Sequence, residues 1–223
     1  MKQVFKGQTL TTTKTVNNIL RVYDRSNESA KSNWYREANS FANELLWDIY
    51  IFPLKVSKNH SPLAAWADKK NTLNKICGVI AALSPLKPWD ENKRIAESFL
   101  KTGNAYHTKV MTQKAQDIMD SDGEIETICD ILNGRKISSF FLNIVDPQNI
   151  HAVTIDRHAQ DIALGKVLTD DKRSMTVGQY EFFANCYQIA AKKRGIQPSL
   201  MQSTTWVTWR EEKKQKSNEE LPF

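Results

Sequence analysis

Apolar residues recur at steps of three and four through most of this chain, and that period predicts helices. Residues 31–52 show it clearly. Trp34, Ala38, Phe41, Ala42, Leu45, Leu46 and Ile49 share one face, with Ser32 or Asn33 placed as the cap. Before it, Val16, Ile19, Leu20 and Tyr23 predict one short helix in a Thr-, Asn- and Ser-rich stretch. Pro53 and residues 55–62 interrupt the pattern, and residues 62–67 begin another helix. Residues 74–83 are apolar and small all round, as in a helix buried on more than one side. The run Ser84-Pro85-Leu86-Lys87-Pro88-Trp89-Asp90 breaks it, and helices follow over 91–102, 109–120 and 125–132.

Residues 129–165 carry the densest set of signals. Asn133–Gly134 is a turn dipeptide, because both residues tolerate positive φ at low cost. A helix over 136–144 ends at Asp146–Pro147. Residues 151–155 are apolar and β-branched and read as extended. Asp156 precedes the periodic run Ala159, Ile162, Ala163, which is an N-cap position. A long helix over 176–193 ends at Gly195 after the basic turn Lys192-Lys193-Arg194. A last helix over 198–209 packs through Leu200, Trp206 and Trp209, and the charged run beyond it, 211–223, reads as disordered. Strand signals are confined to 152–155 and, more weakly, 4–10. The fold class is therefore all-α.

Composition narrows the function classes. The 223 residues carry 31 Lys and Arg against 25 Asp and Glu, a net charge of +6, and a pI near 9.1. That balance favours an anionic partner, nucleic acid first. No apolar run approaches a membrane span, and no secretory signal opens the chain, so the expected setting is cytoplasmic. Cys77, Cys129 and Cys186 are isolated, and His60, His107, His151 and His158 show no ligand spacing, so no metal centre is expected.

At the hairpin and the aspartate the chain resembles the helix-hairpin-helix base-excision DNA glycosylases of the endonuclease III type. Gly134, Arg135 and Lys136 fall on that family's hairpin G-x-K, and Thr154-Ile155-Asp156-Arg157-His158 on its V-D-x-H segment. Where the family has roughly L-P-G-V-G, this chain has Ile131-Leu132-Asn133-Gly134. Thr112-Gln113-Lys114-Ala115 is similar to the family's K-A-x-x-I helix. The stretch at Pro85 and Leu86 is similar to the loop that inserts a side chain into the duplex. The resemblance covers residues 74–165 in detail and 166–210 loosely.

The resemblance implies a two-lobed helix-hairpin-helix glycosylase-like fold with the active-site cleft between lobes. Residues 1–73 and 157–210 would form one lobe and 74–156 the other, the one carrying the hairpin. It implies double-stranded DNA as partner, base flipping, a monomer, and a part in base-excision repair. Asp156 falls on the essential aspartate and Lys136 on the nucleophilic lysine of the bifunctional members. Asn133, Gly134, Arg135, Leu86, Lys87 and Arg157 would touch DNA, and His158 would be a structural hydrogen bonder beside the site. Trp89, Tyr106, Phe140 and Phe141 are candidates for the pocket of the extruded base, with Phe140 and Phe141 also placed as core at mid-helix. No iron–sulfur cluster can be built from three cysteines. A monovalent cation at the hairpin carbonyls is compatible with the family.

Three functions stay open at this point. One is a DNA glycosylase cleaving the N-glycosidic bond of a damaged or modified base, with or without β-elimination lyase activity. A related version removes or exchanges bases in hypermodified DNA. The second is a non-catalytic helix-hairpin-helix DNA-binding protein. The third is a helical interaction protein in which the D-x-H match is chance.

Overall fold

The computed structural model describes residues 2–31, 34–52 and 69–219, with side chains to 215. The predicted caps at Ser32 and Asn33, the interruption at 53–62 and the helix start at 62–67 lie outside the described residues. In chain order the elements are β1 (Lys2–Phe5), β2 (Gln8–Thr11), α1 (Thr12–Tyr23), α2 (Trp34–Leu45) and a π-helical turn over Leu46–Ile51. Then come α3 (Lys69–Ala82), α4 (Trp89–Thr102), α5 (Lys109–Asp120), α6 (Ile125–Leu132) and α7 (Arg135–Val145). The last are α8 (Arg157–Leu164), a 3-10 turn at Asp170–Lys172, α9 (Val177–Arg194) and α10 (Pro198–Glu219). The described residues are all-helical apart from one two-stranded antiparallel sheet. It divides into a central unit, Arg36–Pro147, and a terminal unit, Met1–Tyr35 with Gln148–Phe223.

In the central unit α3 is the axis, packing against α4, α5, α6 and α7. Its all-round apolar surface explains that position: Ile76, Cys77, Val79, Ile80, Ala81 and Ala82 are each completely buried. Gly78 is the crossing point. A Cβ there would come within 2.9 Å of Ile128 Cγ2 and 3.0 Å of Ile118 Cγ2, so only glycine lets the three helices approach this closely. The helix predicted through Ile49 changes register at Leu46, where the Phe52 N–H reaches back to the Trp47 carbonyl in a π turn.

The terminal unit begins with a hairpin in register Lys2↔Thr11 to Phe5↔Gln8. Lys6 and Gly7 both have positive φ, +47° and +75°, as a two-residue type I′ turn requires. Phe5 packs edge-on to Phe183 and ties the hairpin to the core formed by α1, α8 and α9. α1 is capped by the Thr11 side chain and α9 by a reciprocal Thr176–Gln179 box. α9 ends at Gly195, φ +66°, after its basic last turn.

Three expectations change here. Residues 152–155 are extended but pair with no strand among the described residues. α10 does not stop near Trp209; it runs through the charged residues to Glu219 in place of a disordered stretch. Partners explain the extension. Glu212 pairs with Arg25 at 2.9 Å, and Lys213 reaches Asp161 at 3.4 Å. The buried face of α10 also differs from the predicted one. It is Ser199, Met201, Gln202, Ser203, Thr204, Thr205 and Thr208, while Leu200 and Trp206 are only half-buried. The hydroxyls of Thr205 and Thr208 donate to the carbonyls of Met201 and Thr204, both at 2.9 Å, so a polar helix face can be buried.

Candidate functional site

The segment leading to Asp156 is held by side chains in place of a strand partner. The Tyr180 hydroxyl accepts from the Ile155 N–H at 3.1 Å and donates to the Val153 carbonyl at 2.8 Å. The Tyr35 hydroxyl lies 3.0 Å from both Thr154 Oγ1 and Gln202 Oε1. Gln188 Nε2 donates to the His151 carbonyl, and Asn149 Oδ1 accepts from the N–H groups of His151 and Ala152. With Val153, Thr154 and Ile155 buried, these bonds satisfy backbone that would otherwise carry a desolvation penalty. They also fix where the next residue emerges.

That residue is Asp156, the N-cap of α8. Its Oδ1 accepts from the Ala159 N–H at 2.8 Å, as the sequence signal predicts. Its Oδ2 accepts from the indole N–H of Trp206 at 3.1 Å, a partner 50 residues on that no local signal announces. Trp206 is itself held. The Arg210 guanidinium lies 4.5 Å from its ring centroid, and the His158 ring meets it edge-on at 6.3 Å. His158 was expected to be a first-turn hydrogen bonder, yet its Nδ1 is buried with no hydrogen-bond partner among the described residues. Burial holds its pKa below the ordinary imidazole value. Asp156 opposes that shift, and the charges of Arg157, Lys213 and Arg210 reinforce it. Three cationic side chains therefore act on the His158 ring.

Behind α8 lies a buried ion pair. Asp161 is 1% exposed, and Arg173 straddles it with Nη1 3.0 Å from Oδ1 and Nη2 3.4 Å from Oδ2. Arg173 also donates to the carbonyls of Arg157 and Leu168, pinning the 165–176 connection over the helix that Asp156 caps. The Tyr187 hydroxyl donates to the Ala159 carbonyl at 3.1 Å.

The hairpin belongs to the central unit. Asn133 closes α6 with φ +48°, and Gly134 is extended with φ 170° before α7 begins. Asn133, Gly134, Arg135 and Lys136 are all exposed. At the hairpin, two of the carbonyls that could face a monovalent cation already have donors. The Leu132 carbonyl accepts from the Lys114 ammonium at 2.5 Å, and the Cys129 carbonyl accepts from the Asn133 N–H and the Ser138 hydroxyl. A tethered ammonium already sits at the negative end of α6. No group of three or more His, Cys, Asp or Glu among the described residues is placed to hold a metal. Cys77 and Cys186 are buried, their thiol pKa values pushed up to about 12 by burial.

The remaining predicted residues fall into two groups. Ser84-Pro85-Leu86-Lys87 forms a turn closed by the Lys87 N–H to the Ser84 carbonyl, with Leu86 at φ +63° and 100% exposed. Pro in second place and a positive φ in third define a type II turn, whose third place favours glycine. Tyr106, also at positive φ (+24°), is 80% exposed. His107 joins the two loops. The Thr108 N–H donates to its Nδ1 at 2.7 Å, which leaves Nε2–H to donate to the Pro85 carbonyl at 3.2 Å. Lys87 is engaged by Glu91 at 2.6 Å. The other pocket candidates differ in burial and in neighbours. Phe141 is completely buried in the central core and offers no face to a ligand. Phe140 is half-buried on α7, and Trp89 packs edge-on to Phe41 with Lys93 over its ring. An open groove of about 430 Å³ lies along α2 and the π turn, lined by Asn39, Ser40, Asn43, Glu44, Trp47 and Asp48, none of them a predicted site residue.

Comparison with known families gives a match over most of the chain. The chain belongs to a family of unknown function, DUF7178, whose profile matches residues 58–213. That span includes the hairpin, Asp156 and Trp206. No curated protein and no solved structure matches. No helix among the described residues is long and apolar enough to cross a membrane.

Proposed function

We propose that this protein is a DNA N-glycosylase acting on a damaged or modified base, with Asp156 as the carboxylate at the reacting sugar and Leu86 as the side chain inserted into the duplex. The observation that carries the reading is Leu86. A large apolar side chain stands wholly in water on a backbone conformation that costs about 1–2 kcal/mol for a residue with a Cβ. Neither feature helps the fold. Both suit a wedge that fills the space left by an unstacked base. Tyr106, exposed and next in sequence to the His107 that meets the Pro85 carbonyl, adds an aromatic face of the kind on which bases stack.

The chemistry assigned to Asp156 follows from its charge. As the C1′–N bond breaks, its electron pair leaves with the base and positive charge develops on the sugar. A carboxylate fixed close by stabilises that charge and takes a proton from the water that adds at C1′. Arg157 as the next residue, Arg210 over the Trp206 ring and Lys213 on Asp161 supply positive charge of the kind a phosphodiester chain needs. Lys136 is exposed, whereas a lysine nucleophile needs burial or adjacent positive charge, so water is the nucleophile in this reading.

The test uses duplexes with and without one abasic site. The expected result is tighter binding to the abasic duplex, weakening steeply with salt. Borohydride added to the same mixture distinguishes the versions: an adduct lost in Lys136→Ala establishes the lyase form, and its absence leaves the water-based one. Equal affinity for abasic and intact duplex removes the reading.

A further inference from the structure

Capping α8 needs only one oxygen of Asp156, and Oδ1 serves through the Ala159 N–H. The second oxygen is also tied, by the Trp206 indole at 3.1 Å. We infer that Trp206 is a positioning residue for Asp156, locking rotation of the carboxylate about its Cβ–Cγ bond while leaving its negative charge intact. The inference rests on the glycosylase reading and names a residue that reading does not use.

The chemical identity of the donor carries the argument. A lysine or arginine at this position would orient the carboxylate and also neutralise it, removing the charge that a sugar cation has to meet. An indole N–H is donor only, uncharged and never a proton acceptor. It fixes geometry without cancelling charge. The indole's own position is determined twice, by Arg210 on its face and by the His158 ring at its edge. His158 fits the same logic. Its buried Nδ1 lacks a partner, and a neutral imidazole there leaves the carboxylate unopposed on that side. Electrostatic stabilisation of a transition state depends on such fixed orientation more than on the number of charges.

The probes are two duplexes, one with a cationic pyrrolidine in place of the abasic sugar and one with neutral tetrahydrofuran. The measured quantity is the ratio of their affinities. The wild-type chain is expected to prefer the cationic analogue, and Asp156→Asn to lose the preference. Trp206→Phe keeps a ring against Arg210 and His158 but lacks the N–H. It is expected to reduce the ratio about tenfold, the scale of one hydrogen bond to a charged group, with tetrahydrofuran affinity unchanged. If Trp206→Phe fails to fold, benzothienylalanine in place of Trp206, indole-shaped with sulfur for the N–H, makes the same comparison. A full ratio with either replacement overturns the positioning role and leaves the glycosylase reading standing. A wild-type ratio of one, or a ratio unaffected by Asp156→Asn, overturns the role of Asp156 itself and this inference with it.

Discussion

Replacing Leu86 separates what the turn costs the fold from what its side chain does for binding. Leu86 sits at φ +63° and is 100% exposed, so truncating it removes no buried apolar area. Leu86→Ala keeps the Cβ and the strain with it; its stability is expected within about 0.5 kcal/mol of wild type. Leu86→Gly removes the strain, about 1–2 kcal/mol, and adds about 0.5–1 kcal/mol of unfolded-state entropy. The glycine variant is thus expected to be more stable than the alanine one by roughly 0.5–1 kcal/mol, or about 1–4 °C in Tm for a chain of this size. In an ordinary helix the order is reversed, so the sign alone is diagnostic. Both variants lose the wedge. Burying a leucine is worth about 1.5–3 kcal/mol, so each is expected to bind an abasic duplex at least about tenfold more weakly. Urea titration and fluorescence anisotropy give the two numbers. A glycine variant less stable than alanine would refute the strained-turn argument, and unchanged duplex affinity in both would refute the wedge.

Other substitutions test the surroundings of Asp156. Arg173→Met leaves the Asp161 carboxylate buried with only Lys213 and the Leu168 N–H, and is expected to cost about 3 kcal/mol in chemical denaturation. Adding Asp161→Leu should recover much of that loss, because the buried charge is gone; a double variant as weak as the single one counts against it. Asp156→Asn keeps an N-cap oxygen and gives up one hydrogen bond, so about 1 kcal/mol of stability is expected to go while base release is abolished. Gly123→Ala is expected to destabilise strongly in thermal melts, since φ is +80° and the new Cβ would lie 2.8 Å from the Asn71 carbonyl oxygen. His158 sets a pH dependence. Its folded pKa is lowered, chiefly by burial, so below the ordinary value of about 6.5 the unfolded chain binds the extra proton first and stability falls with falling pH. Melts from pH 7 to 5 should show that loss in wild type and a flatter profile in His158→Phe.

Local chemistry made much of this fold legible. The period of three and four located the helices of the central unit, and the cap at Asp156 was readable because Asp before a periodic run has one mechanism. Four things were not. Residues 152–155 have strand chemistry, and nothing local distinguishes a strand from extended chain whose bonds go to Tyr180, Tyr35 and Gln188. The buried face of α10 is serine, threonine and glutamine apart from Met201, so a search for apolar stripes selects Leu200 and Trp206 instead. Trp206 was legible as a packing residue only, because its role depends on an oxygen 50 residues earlier. Leu86 was a wedge candidate by resemblance alone, and its positive φ was not legible, although Pro85 in second place of a turn leaves the third place open to it.

The polar face of α10 has a consequence for the candidate site. Gln202 meets the Tyr35 hydroxyl that holds Thr154, Trp206 meets Asp156, and Lys213 meets Asp161. Spacings of four and seven place these three side chains on one face of the helix. Along that seam each contact joins a particular donor to a particular acceptor. An apolar seam tolerates a small slide of one helix along another at modest cost, since one methyl contact replaces another. A slide here would leave buried donors and acceptors unmet at several positions at once. The seam therefore fixes register, and register is what brings the Trp206 N–H to the Asp156 carboxylate. A helix that merely filled the core would do as well with leucine on that face.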